Sequence, residues 1–397
     1  MRVPGDKSIS HRALIIGALA AGTSTVRGLS TGDDVRRTRQ AAEALGAEIE
    51  DVDGGIQISG GMLVEPPGPL DLGNSGTSMR LLAGVCAAEP IEVVLTGDES
   101  LRSRPMDRVG DPLRLMGATV EGSHPPVRIR GGGLHGIDYE PPMASAQVKG
   151  AVLFAGLQAE GETVVREPVP TRAHTEEMLA AAGADLVVDG GVVRVRPSKL
   201  EPADLEVPGD PSQAAFWIVA ACIVPGSDLT LEGLYLGPQR DGFLEVLRRM
   251  GADLEVGESA VRARSGELAG TEVPADEIPG LIDEIPVLVV AAAMASGRTR
   301  FSGVGELRVK ESDRVASILE LLTMFGVEAT AEGDTLAVEG TGRLRGGATV
   351  DSHGDHRIAM AAAVAGLAAD GTTTIDGWDV VATSYPGFEE DLRSCTA

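Results

Sequence analysis

Two short phrases recur along the chain at intervals of roughly 65 to 75 residues, and repetition at that period restricts the fold to stacked supersecondary units. The first phrase runs helix end, glycine, small residue, strand. It is written ALGAEIE from Ala44, LMGATVE from Leu115, AAGADLVV from Ala181, RMGADLEV from Arg249 and MFGVEAT from Met324. The second, a short break before a β-branched strand, is out of phase with it. It is written AAGTSTVRG from Ala20, EPIEVVLTG from Glu89, AEGETVV from Ala159, VPGSDLTLEG from Val224, ASGRTRFSG from Ala295 and ADGTTTIDG from Ala369. Together they mark about six copies. Each glycine of the first phrase stands where a helix has to stop, which suits a left-handed position just past its end, and the alternation that follows reads as a half-buried strand.

Six stretches between these marks, at residues 9–20, 77–87, 147–157, 212–221, 286–295 and 356–367, are almost wholly apolar. A helix apolar on all sides has to be buried on most of them. The expectation is an α/β (α+β) chain of two globular domains, each of three repeated helix-and-strand units with buried internal helices. At 397 residues the chain also exceeds what one hydrophobic core usually supports. VPGDPS from Val207 interrupts the pattern just before a new apolar helix, and VPGDKS from Val3 stands in the same relation to the first one. Read as paired hinges, these segments give residues 8–207 as the first globe and residues 1–7 plus 208–397 as the second.

Aromatic residues make up only 3% of a chain that is 43% hydrophobic, so the interior has to be closely packed Ala, Val, Leu and Ile. A formal charge of −25 opposes nucleic-acid binding, which needs Lys and Arg at phosphates, and points to a well-solvated surface. Cys86, Cys222 and Cys395 are odd in number and lack Cys-x-x-Cys spacing, so neither a disulfide framework nor a structural zinc is implied. The start, MRVPGDKSIS, has no charged region followed by an apolar core, and the apolar stretch 13–21 is too short to span a bilayer. A cytoplasmic protein with no membrane partner is expected.

Basic side chains are almost always Arg, with Lys only at 7, 149, 199 and 310. GDKSISHR places Lys7, Ser8 and Arg12 around a helix start, where free N–H groups favour an anion; a capped helix with solvated charges fits equally. LGNSGTSMR, residues 72–80, is a small-residue loop running into a helix, with Gly73 and Gly76 allowing close approach to a ligand. It lacks the Gly-Lys-Ser/Thr of a P-loop, and a plain helix cap is the simpler local reading. GDESLRSRP brings Arg102 and Arg104 together before Pro105. LRVKESDR sets Lys310, Glu311 and Arg314 at helical spacing, so that Lys310 and Arg314 share a face, by itself a solvated one. IDEIPVLVVAAA puts Asp283 and Glu284 directly before an apolar helix, the usual place of a carboxylate cap, and DSHGDHRIAMA does the same with Asp355, His356 and Arg357. His353, Asp355 and His356 are too tightly spaced on a turn to converge on a metal, and none is expected. No nucleophile elbow or dinucleotide fingerprint is present.

Taken together, VPGDKSISHR, LGNSGTSMRLLAG, SAQVKGAVLFAGL, PGDPSQAAFW, RVKESDR and GDHRIAMA occur in the order found in the 3-phosphoshikimate 1-carboxyvinyltransferase (EPSP synthase) family. The chain resembles that family over essentially its whole length. The resemblance implies the enolpyruvyl transferase fold, of inside-out α/β barrel type, with phosphoenolpyruvate and shikimate 3-phosphate bound in a cleft between globes that close by bending at the hinges. It implies that Lys7, Ser8, Arg12, Ser145, Ala146 through its backbone, Gln147, Asp283 and Lys310 hold shikimate 3-phosphate. Lys7, Gly76, Arg104, Gln147, Arg314 and Arg357 would hold phosphoenolpyruvate. Asp283 is implied as base on the 5-hydroxyl, Glu311 as acid and base at the methylene carbon, and Lys7 as electrostatic partner of both substrates. Both substrates carry phosphate and carboxylate, which suits guanidinium groups. No metal or organic cofactor is implied, a monomer is, and the space beside Gly76 implies inhibition by glyphosate.

Some positions depart from the family pattern. Members carry about one more strand before VPGDKS, so either the start lies upstream or one sheet lacks a strand. Glu306 stands where some members have Asn and Thr383 where some have Lys; the contacts around Thr171 and Arg172 are also open. The sister family that transfers enolpyruvyl to a UDP-linked amino sugar has Asn after the lysine where Ser8 stands here, and often a Cys in the loop at residues 97–105. A non-catalytic repeat protein would explain the sixfold pattern but not the basic residues beside each buried helix.

Overall fold

A computed structural model of the chain describes residues 1–396. They divide into two compact units, one of Gly5–Val207 and the other of Met1–Pro4 with the chain from Pro208 onward. Residues 5–7, expected with the second globe, group with the first because Lys7 already opens a helix there and its ammonium meets Asp34 at 2.9 Å.

The Gly5–Val207 unit is built on the helices Lys7–Leu19, Gly76–Ala88 and Ala146–Gly156, which are buried over nearly their whole length. Each begins at a residue whose side chain takes up an unpaired backbone N–H: Asp6 accepts from Ile9, Ser75 from Ser78 and Ser145 from Val148. Close packing of the second and third helices requires Gly84, where a Cβ would lie 2.1 Å from the Ala151 carbonyl. Each helix runs into a strand that joins a four-stranded sheet of constant order: a short parallel edge strand, the strand after the helix, then the two strands of a hairpin. In the first sheet these are Leu205–Glu206, Gly22–Arg27, Gly55–Gly60 and Glu48–Val52, with Val26 opposite both Leu205 and Ile56. The edge strand there comes from the end of the unit, so the third repeat returns to complete the first.

The other unit repeats the plan around Pro211–Ile223, Ile285–Met294 and His356–Ala368, again buried. Its first sheet has three strands, Asp228–Glu232, Ala260–Arg264 and Asp253–Val256, and Met1 lies along the outer strand, its amino group donating to the Thr230 carbonyl at 2.6 Å. Its last repeat departs from the pattern: two short parallel pairs are followed by a 3-10 turn, Trp378–Thr383, and a helix, Phe388–Thr396. Trp217, Tyr385 and Phe388 pack there with ring centroids 5.0–6.4 Å apart. The three apolar helices of each unit therefore lie inside and the sheets outside, as expected, and the sheets stay open without closing into a barrel.

The glycines of the first recurring phrase, Gly46, Gly117, Gly183, Gly251 and Gly326, all have positive φ, as their position past a helix end requires. No helix among the described residues is long and apolar enough to cross a membrane.

Candidate active site

In the Gly5–Val207 unit, side-chain bonds tie together the N-terminal ends of the three buried helices. Gln147, in the first turn of its helix, accepts from Arg80 Nη1 at 2.7 Å and donates to Thr77 Oγ1 at 2.9 Å. His11 Nδ1 lies 2.7 Å from Thr38 Oγ1, which reaches Ser78 Oγ at 2.5 Å, and Ser78 meets Ser75 at 2.6 Å. Burial, with Lys7 and Arg12 beside it, holds the His11 imidazole well below its ordinary pKa, so it is neutral in this cationic corner. Buried Arg12 donates to Thr175 Oγ1 at 2.7 Å and to the Ser8 carbonyl at 2.9 Å. Buried Arg104 bonds Ser100 Oγ at 3.1 Å and Asn74 Oδ1. Gly76 begins its helix between two guanidinium groups, and a Cβ would sit 2.9 Å from Arg80 Nη1 and 3.1 Å from Arg104 Nη1.

In the second unit the acidic and basic candidates gather around Arg314, only 1% exposed. Its Nε donates to Asp355 Oδ2 at 2.7 Å, Nη1 meets Asp283 Oδ1 at 3.4 Å and Nη2 bonds Glu311 Oε2 at 2.5 Å. Burial alone would lower the pKa of this guanidinium, but the carboxylates of Asp355, Glu311 and Asp283 outweigh it and hold it above the ordinary value. Asp355 also caps its helix through the Arg357 N–H, and Arg357 Nη1 donates to the Asp283 carbonyl at 2.9 Å. Asp283 and Glu311 thus keep partly exposed carboxylates against one buried cation. Lys310 precedes Glu311 in the chain, and its Nζ lies 3.3 Å from Glu306 Oε1. Such a cluster can bind an anion at its arginines and move protons at its carboxylates.

The profile described as EPSP synthase (3-phosphoshikimate 1-carboxyvinyltransferase) matches residues 1–392. The chain belongs to the EPSP synthase family. It is 51% identical to the 3-phosphoshikimate 1-carboxyvinyltransferase of Gloeobacter violaceus, over 98% of this chain and 94% of that protein. It is 48% identical to that of Caulobacter vibrioides, over 100% and 95%. The solved EPSP synthase of Acinetobacter baumannii superimposes with a TM-score of 0.86 at 44% identity, covering 100% of this chain and 95% of that one. The enolpyruvyl transferase NikO from Streptomyces tendae, at 19% identity and a TM-score of 0.83 over 100% and 94%, shares the fold.

Two local expectations for this member of the EPSP synthase family are corrected. LRVKESDR is not one helix: Gly305–Val309 is a 3-10 turn, Lys310 lies in a bend, and a new helix starts at Arg314 behind the cap Asp313. Lys310 and Arg314 therefore share no helix face, and Arg314 is buried rather than solvated. Glu284 occupies the cap position but makes no cap bond; its carboxylate accepts from Ser212 Oγ instead. His353 bonds Glu320 at 2.8 Å, and no group of three or more His, Cys, Asp or Glu among the described residues is arranged to hold a metal. Thr383 closes its 3-10 turn on the Val380 carbonyl, and buried Thr171 donates to Glu167.

The sequence reading missed Asp34 at Lys7, Thr175 at Arg12, Arg80 at Gln147 and Asp355 at Arg314. Arg80 carried a signal, since it ends the small-residue loop motif. Asp355 stood out as a helix cap but not as the partner of Arg314, and Asp34 and Thr175, 27 and 163 residues from Lys7 and Arg12, carried no signal.

Proposed function

We infer that the chain transfers the enolpyruvyl group of phosphoenolpyruvate to the 5-hydroxyl of shikimate 3-phosphate, releasing phosphate, a step of aromatic amino acid biosynthesis. The observation that carries this reading is the Asp283–Arg314–Glu311 cluster, two carboxylates held on one buried guanidinium, in a chain of this family. In the Gly5–Val207 unit, Ser8, Arg12, Ser145, Gln147 and the Ala146 backbone hold shikimate 3-phosphate. Lys7, Gly76, Arg104, Gln147, Arg314 and Arg357 hold phosphoenolpyruvate. Asp283 and Lys310 complete the acceptor contacts.

Asp283 takes the proton of the 5-hydroxyl as its oxygen attacks C2 of phosphoenolpyruvate, and Glu311 delivers a proton to the methylene carbon. The product is a tetrahedral ketal phosphate bearing a methyl group. Glu311 then recovers a methyl proton as the C–O bond to phosphate breaks, which regenerates the vinyl ether, and the proton held by Asp283 leaves with the phosphate. Each positioned proton transfer contributes about 10²- to 10⁴-fold, and the cations stabilise phosphate as it departs. Lys7 provides positive charge at the junction of the two substrates. This reading makes the chain a monomer acting in the cytoplasm, and a target of glyphosate in the space beside Gly76.

The test is phosphate release by the purified chain supplied with phosphoenolpyruvate plus shikimate 3-phosphate, beside a reaction with UDP-N-acetylglucosamine as acceptor. Turnover with shikimate 3-phosphate alone is expected. Turnover only with the UDP-sugar would transfer the chain to the sister activity, and none with either would favour a non-catalytic binding role.

A further inference from the structure

The Ala146–Gly156 helix, AQVKGAVLFAG, is apolar after its first turn except at Lys149. That side chain is 1% exposed, and its ammonium lies 2.8 Å from Glu167 Oε2 and 2.6 Å from Glu176 Oε1. Apolar residues of similar volume would be about as stable in such a place, because ion pairing repays little more than the desolvation of the charges. Stability alone therefore does not account for the triad, whereas fixed geometry does.

The triad joins three segments, each leading to an acceptor contact or to the loop beside it. Glu167 directly follows the sheet strand Thr163–Arg166, and its other oxygen accepts from Thr171 N at 3.1 Å and from Thr171 Oγ1, which folds the loop at residues 167–173. Glu176 sits in the first turn of the His174–Ala181 helix, next to Thr175, whose hydroxyl accepts from Arg12 Nε at 2.7 Å. Lys149 itself is one turn beyond Ser145, Ala146 and Gln147. Gly150 completes the arrangement: a Cβ there would lie 2.9 Å from Thr175 Oγ1 and 3.6 Å from Arg12 Nη2, so Arg12 reaches Thr175 across a bare stretch of helix. Glu176 remains largely buried, and burial raises its pKa against the pull of Lys149, as in a site sealed from water.

We propose that Lys149 is a positioning residue for the acceptor, a brace that through Glu167 and Glu176 sets the Thr171 loop and the Arg12 guanidinium in the geometry that receives shikimate 3-phosphate. The proposal rests on the functional reading above. It assigns Lys149 no contact with either substrate, so its removal acts on acceptor recognition and leaves the donor side and the proton transfers in place.

The test is steady-state kinetics of the full chain, with the wild type in the same assay and the fold of each variant checked by thermal melting. Lys149→Met combined with Glu176→Gln, which avoids leaving two uncompensated buried carboxylates, is expected to raise KM for shikimate 3-phosphate at least tenfold. KM for phosphoenolpyruvate and kcat should stay within about threefold, and Lys149→Arg should stay within about threefold of wild type throughout. A folded double variant with unchanged KM for shikimate 3-phosphate overturns the proposal, as does an equal loss for both substrates. If the double variant does not fold, Thr175→Val carries the test through the Arg12 link: a selective rise in the acceptor KM supports the brace, and an unchanged KM refutes it. An active wild type beside an unaffected variant rejects the brace alone, whereas an inactive wild type removes the functional reading and the brace together.

Discussion

The two units apply one backbone plan to opposite electrostatic ends. Aligned on their Pro-Gly-Asp segments, the first buried helix of one unit offers Lys7, Ser8, His11 and Arg12 where the other has Pro211, Ser212, Ala215 and Phe216. The Gly5–Val207 unit caps its second and third helices with neutral Ser75 and Ser145, brings Arg80 and Arg104 to the start of the second, and carries Lys7 and Arg12 on the first. The other unit brings carboxylates: Asp210 and Glu284 are drawn in by Arg240 and Ser212, and Asp283, Glu311 and Asp355 by Arg314. Helix N-termini favour anions by themselves. The first arrangement adds to that preference and suits recognition of anionic substrates, while the second fills it with the protein's own acids and keeps two of them within reach of a substrate. On the proposed function, the first unit supplies most of the recognition, while the second carries both proton-transfer carboxylates beside its own substrate contacts.

That contrast can be broken at its most buried point. Arg314→Met leaves Asp283, Glu311 and Asp355 without their shared cation, and it should cost roughly 3–5 kcal/mol of stability and at least about 100-fold in turnover, read by chemical unfolding and phosphate release. Arg12→Met in the other unit should mainly raise KM for shikimate 3-phosphate, by about 30-fold, because a charge-assisted bond to the acceptor is lost while the proton-transfer groups are untouched. A fall in kcat of that size for Arg12→Met would erase the division.

Gly76→Ala sharpens it within one unit. The new methyl group meets the ends of Arg80 and Arg104, so KM for phosphoenolpyruvate should rise by about tenfold with little change for shikimate 3-phosphate. The smallest effect concerns His11. Its native pKa lies below the unfolded value, so between the two the unfolded chain binds more protons. The associated stability is complete above pH 6.5 and lost as pH falls below it, with a slope of at most about 1.4 kcal/mol per pH unit. Denaturant melts of His11→Gln across that range should show a shallower acid loss than wild type.

The fold was readable because its determinants are local. The stretch 356–367 appears as the helix His356–Ala368 and 77–87 as Gly76–Ala88, since an unbroken apolar run behind a capping residue leaves few alternatives. LRVKESDR misled because i, i+4 spacing does not distinguish an α-helix from a 3-10 turn followed by a fresh N-cap. The burial of Arg314 depends on Asp283 and Asp355, 31 and 41 residues away, and the partner of Arg12 lies 163 residues away. Distances of that kind are set by tertiary packing, and no local pattern announces them. Lys149 was visible as a lone cation in an apolar helix, but its meaning depends on Glu167 and Glu176, which only the fold brings to it.

The most direct test of the divided site is Glu311→Gln, which keeps the shape and hydrogen-bonding capacity of the side chain and removes its ability to exchange a proton. Calorimetric binding of shikimate 3-phosphate should remain within about threefold of wild type while phosphate release falls by about 10² or more. Turnover within tenfold of wild type, or loss of acceptor binding in step with turnover, would contradict the account.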